Sequence, residues 1–96
     1  LGRIYSTLGN FEESVNAFDQ ALEKGDLDRE DQVQLSRARS YMELNRYDEG
    51  LVAARAARRD ERSEETADTW ITVLTREKAR YEALQRQRRE LAEYFR

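Results

Sequence analysis

The sequence predicts an all-α chain: a helical-repeat solenoid of two helix pairs, followed by one long terminal helix. Three observations carry that reading. Proline is absent from the 96 residues and glycine occurs only at Gly2, Gly9, Gly25 and Gly50, so almost every stretch is free to be helical. A pattern recurs 36 positions apart, placing Tyr5 on Tyr41, Leu8 on Leu44, Gly9 on Asn45, Phe11 on Tyr47, Phe18 on Ala54 and Ala21 on Ala57. A period of that size built from two antiparallel helices marks a solenoid. After Ser63, finally, no helix breaker occurs as far as Arg96.

Taken in order, the first element spans Leu1 to Leu8, where Leu1, Ile4, Tyr5 and Leu8 share one face at helical spacing. No capping residue precedes Leu1, which suggests a helix that has lost its first turn and a chain that is a piece of something longer. Gly9 ends it in the left-handed position common after a helix. Asn10 reads as the cap of the second helix, with Glu13 completing a capping-box-like pair, and Val15, Phe18, Ala21 and Leu22 form the apolar stripe. Gly25 stops that helix.

Asp28 is the expected cap of the third helix, whose face is Val33, Leu35, Ala38, Tyr41, Met42 and Leu44; Asn45 is placed to end it in a left-handed conformation. In the fourth, Tyr47, Leu51, Ala54 and Ala57 define a stripe rich enough in alanine for a neighbour to approach closely. Asp60 to Arg62 break it. Ser63 then caps the fifth, with Glu64 and Glu65 in the first turn, where carboxylates suit the helix dipole. The expected boundaries are therefore 1–27 and 28–62 for the two repeats and 63–96 for the terminal helix.

Composition removes several function classes. With no histidine and no cysteine the chain lacks the usual zinc ligands, a thiol nucleophile, a Ser-His pair and any disulfide, so neither an enzyme nor a cofactor is expected. The carboxylate pairs Glu12-Glu13 and Glu64-Glu65 sit in helix first turns, where the macrodipole accounts for them. Seventeen basic and twenty acidic residues give a net charge of -3 with interspersed signs. Clusters at Arg55, Arg58, Arg59 and Arg62, and at Arg86, Arg88 and Arg89, are diluted by Asp60, Glu61, Glu82, Glu90 and Glu93, which argues against nucleic acid. No run of about 18 apolar residues is present, so membrane insertion is not expected. A soluble chain, in the cytoplasm rather than the periplasm, is the expectation.

Leu1-Gly2 followed by Tyr5, the run Gly9-Asn10-Phe11-Glu12-Glu13, and Ser14 with Phe18 and then Ala21 together resemble the tetratricopeptide repeat family. Its pattern runs W-x2-L-G-x2-Y, then A-x3-F, then P, over roughly 34 residues. The second copy holds Arg37-Ala38, Tyr41, and Gly50 with Ala54; a third begins at Trp70 with Val73-Leu74 but carries Glu77 where the Tyr belongs. The family's Pro is absent from both copies, with Asp26 and Arg62 near those slots, so longer inter-repeat turns are expected.

The resemblance implies a concave groove lined by the first helix of each pair, where a protein or peptide partner docks. Carried over by position, the groove comprises Arg3, Ser6 and Thr7 from the first copy and Gln32, Leu35, Arg39, Met42 and Glu43 from the second. Arg3 and Arg39 are equivalent and would form two rungs suited to a carboxylate. Chaperone-binding members of the family grip a terminal carboxylate with a Lys/Asn/Arg clamp, which Leu35, Ser36 and Thr72 at the matching slots do not supply. Trp70, with Ile71, Val73 and Leu74, is expected to cover the end of the second repeat, and Tyr5 and Tyr41 to pack between helices.

The terminal helix, Glu64 to Phe95, would be about 48 Å long, against roughly 20 Å for a repeat helix. Trp70, Leu74, Glu77, Tyr81, Leu84, Arg88, Leu91 and Phe95 alternate in spacings of four and three, a heptad seam, with the pairs Glu82–Arg86 and Arg89–Glu93 outside it. The alternative to groove binding is thus a structural module that pairs chains as a homodimer through Tyr81, Leu84, Arg88, Leu91 and Phe95. Folding of this strip back onto the repeats, or burial under a further domain, competes with pairing.

Overall fold

The computed structural model describes residues 10–96. The expected first helix, its Gly9 stop, Tyr5, and the groove positions Arg3, Ser6 and Thr7 lie outside the described residues. Within them the chain is helical throughout: α1 (Phe11–Lys24), α2 (Glu30–Glu43), α3 (Tyr47–Arg58), a 3-10 turn (Glu61–Ser63) and α4 (Glu64–Tyr94, 31 residues). α2 packs on α1 and α3, and α3 packs in turn on α4, the succession of neighbours that defines a helical repeat.

The turn between α2 and α3 is set by Asn45, which takes φ 59°. The Asn45 N–H donates to the Met42 carbonyl (3.0 Å) and the Arg46 N–H to the Tyr41 carbonyl (2.8 Å), the two bonds of a Schellman stop. The Arg46 guanidinium then stacks 5.0 Å from the Tyr41 ring centre, with Arg37 at 5.1 Å on the same tyrosine. Gly25 ends α1 at φ 74°, its N–H donating to the Ala21 carbonyl. Residues 25–29 connect α1 to α2, and residues 59–63, with the 3-10 turn, connect α3 to α4.

Ala38, Leu51, Ala53, Ala54 and Leu74 form the buried cluster, with Met42, Tyr47, Trp70 and Ile71 packed against it. Trp70 and Ile71 of α4 thus pack against the core that α2 and α3 share with α4. Three helices meet at Gly50, where a Cβ would lie 3.1 Å from Leu74 Cδ2, 3.3 Å from the Ala38 carbonyl oxygen and 3.4 Å from Tyr41 Cβ. The closeness of α2, α3 and α4 depends on that missing side chain as well as on the alanines.

Several local expectations are corrected. Asn10 stands at the N-cap of α1 but makes no side-chain capping bond. α2 begins at Glu30, two residues after the position Asp28 would cap, because Asp28 and Arg29 form a turn. Ser63 precedes α4 yet caps nothing with its side chain, its hydroxyl being committed elsewhere. α4 ends at Tyr94, with Phe95 as its cap. The pairs Glu82–Arg86 and Arg89–Glu93 do not close; Lys78 instead bonds Asp48 of α3 at 2.6 Å. Phe18, Ala21 and Leu22 of α1 are half-buried, and Val15 alone of its stripe is buried.

Candidate partner-binding surfaces

α2 presents Gln32, Ser36, Arg39 and Glu43 to solvent, spaced by four, three and four and hence in one stripe, with Leu35 and Met42 half-buried alongside. Gln32, Leu35, Arg39, Met42 and Glu43 are thus brought onto one side of one helix. Arg39 makes no ion pair among the described residues, and none joins it to Glu43. Met42 also packs against the core, so it is floor as well as surface.

At the C-terminal end of this stripe α2 meets α4. Met42, Glu43, Asn45, Tyr47, Val73 and Glu77 enclose an open notch of about 240 Å³. The Tyr47 hydroxyl donates to Asn45 Oδ1 at 3.0 Å, and its ring lies 5.6 Å from that of Tyr81. Burial pushes the Tyr47 phenol up, and the charge of Glu77 adds to it. Glu77 lines this notch, although the sequence marked it only as a departure from the repeat pattern and a polar member of the heptad seam.

The far end of α2 is fixed by a buried carboxylate. Asp31 receives both Arg29 nitrogens (3.0 and 2.7 Å) and the Ser63 hydroxyl, while Arg62, 4.0 Å away, bonds Asp60 at 2.7 Å. Donation by Arg29, then by Ser63, holds the Asp31 carboxyl well below the usual carboxylate range. The start of α2 is thereby tied to the start of α4, which sets these two helices against each other. Nothing in the sequence flagged this: Asp31 looks like any acid in a first helical turn and Ser63 like a cap.

Half of the first basic cluster is paired, Arg58 bonding Asp68 (2.6 Å) and Glu64 (3.3 Å), and Arg62 bonding Asp60. Among the described residues no three His, Cys, Asp or Glu side chains converge as metal ligands, and no helix is long and apolar enough to cross a membrane.

α4 divides in two. Leu74 is fully buried, Trp70 and Tyr81 are half-buried, and Tyr81 rests on Tyr47. From Arg86 onward every residue is exposed, including Arg88. Leu84 is 48%, Leu91 55%, Tyr94 81% and Phe95 78% exposed, an apolar strip that no other element covers among the described residues. Of the expected seam, therefore, Tyr81 serves the intramolecular contact, and Leu84, Arg88, Leu91 and Phe95 are exposed among the described residues.

Residues 1–23 match the family model of the tetratricopeptide repeat. Of these, 10–23 comprise most of α1 and 1–9 lie outside the described residues. No curated protein and no solved structure gives a significant match. The match at 1–23 supports a tetratricopeptide repeat protein, and such repeats generally mediate protein–protein interaction.

Proposed function

We propose that this tetratricopeptide repeat protein is a protein-binding module whose partner, an extended or helical peptide, docks on the groove face of α2, with 1–62 acting as two repeats and 63–96 as the closing helix. The observation that carries this reading is the stripe of α2: Gln32, Arg39 and Glu43 stand exposed beside half-buried Leu35 and Met42, a polar rim along an apolar floor. Arg3, Ser6 and Thr7 extend the same surface by repeat equivalence. Catalysis has no support from the chain's own chemistry, which lacks His and Cys.

Arg39→Glu tests it. Arg39 is exposed and unpaired among the described residues, so helicity and melting temperature are expected to hold while capture of partners falls. Retention of the same partners at the same strength removes the groove.

A second reading is favoured by a separate observation. Leu84, Leu91, Tyr94 and Phe95 make a strip that soluble chains rarely leave uncovered, and antiparallel pairing of two copies would cover it. Light scattering at micromolar concentration is expected to show a dimer that Leu84→Glu or Leu91→Glu returns to monomer. A strict monomer, unchanged by either substitution, eliminates self-association.

A further inference from the structure

The notch where α2 meets α4 has a more particular chemistry than the groove around it. Half-buried Met42, Val73 and Tyr47 supply its apolar side chains, and Asn45 with the carboxylates of exposed Glu43 and half-buried Glu77 completes the lining. Neither carboxylate makes an ion pair or accepts a side-chain hydrogen bond among the described residues. Glu77 is moreover half-buried, so part of its hydration is already lost without a charged partner in return. Clefts next door are different: Arg46 lies against Glu49, and Lys78 bonds Asp48 at 2.6 Å. Arg80, whose charge also reaches Tyr47, is outside the lining and pairs with neither glutamate.

We propose that this notch seats one lysine or arginine side chain of an extended peptide partner, with the aliphatic stem on Met42 and Val73 and the cation between Glu43 and Glu77. The proposal rests on the groove reading above and adds the partner's chemistry to it. A long cationic side chain fits because its stem is apolar and its head charged, matching a lining that sets Met42 and Val73 beside two carboxylates. The Tyr47 ring offers the cation a third contact through its face. An acidic side chain would meet two like charges there, and an apolar one would leave Glu77 further desolvated and still unpaired. The notch is about 240 Å³ and open, room for a side chain and not for a helix.

The test uses two capped pentapeptides, Gly-Leu-Arg-Leu-Gly and the same sequence with citrulline in place of arginine, titrated at millimolar concentration into the isotope-labelled protein. Amide shifts from the arginine peptide are expected at Met42, Glu43, Tyr47, Val73 and Glu77, with the citrulline peptide about tenfold weaker. Glu43→Gln combined with Glu77→Gln is expected to abolish the difference between the peptides. Glu43→Gln alone, at an exposed position, is expected to reduce it without disturbing the fold. Equal binding of both peptides along Gln32 and Arg39 overturns the cation site and leaves the groove standing. Absence of any shift at the notch also overturns it, whereas the groove itself falls only if Arg39→Glu leaves partner capture intact.

Discussion

Asp31 is a buried charge whose three partners come from two places: Arg29 beside it, and Ser63 and Arg62 from the turn before α4. Because its folded carboxyl titrates below the unfolded value of about 3.9, the stability it contributes is complete above that pH and drains as pH falls through and below it. Between about pH 4 and pH 2 the melting temperature of the parent is therefore expected to fall more steeply than that of Asp31→Asn, which has no charge to lose. Parallel curves would deny Asp31 this role. Ser63→Ala removes one donor to a buried acceptor and is expected to lower stability by about 1 kcal/mol, measured by denaturant unfolding. The sequence could not show this pairing, since Ser63 lies 32 residues from its acceptor and a serine before a helix has a sufficient local explanation as a cap.

α3 is the element on which the packing turns. Ala53, Ala54 and Ala57 are fully buried and Leu51 nearly so, because α3 is covered by α2 on one side and α4 on the other. The stripe of Tyr47, Leu51, Ala54 and Ala57 was legible from its spacing. Gly50 and Ala53 were not, since a single amphipathic stripe describes a helix with one neighbour and α3 has two. Ala57→Leu is expected to overpack this contact and cost about 1 to 3 kcal/mol, a fall of at least about 4 °C in melting temperature. An unchanged melting temperature would place Ala57 on the surface. Helix ends were less legible than helix faces: Asn45 and Gly25 require a left-handed backbone that few residues adopt, whereas Asp28 lies in a turn ahead of α2, Asn10 makes no side-chain capping bond and the Ser63 hydroxyl goes to Asp31.

Over the whole molecule, the longest dimension of 55 Å against 30 and 23 Å reflects one helix projecting beyond a small helical stack. The projection was legible because no breaker follows Ser63; where the intramolecular contact would end was not, since a heptad seam reads the same along its length whatever covers it. Tyr81 on Tyr47 and Lys78 on Asp48 are the last ties, and deletion of residues 86–96 is expected to leave the melting temperature of the monomer unchanged. A large fall would mean that the strip of Leu91 and Phe95 folds back onto the repeats. The proposed groove was legible only as a set of positions on one helix; the notch with Val73 and Glu77 needed the packing of α4 against α2, which no local pattern encodes. The most direct measurement for the groove is amide chemical-shift mapping of this chain with a peptide from a captured partner. Shifts concentrated on Gln32, Leu35, Arg39, Met42 and Glu43 are the predicted result, and shifts confined to Leu84 through Phe95 would contradict it.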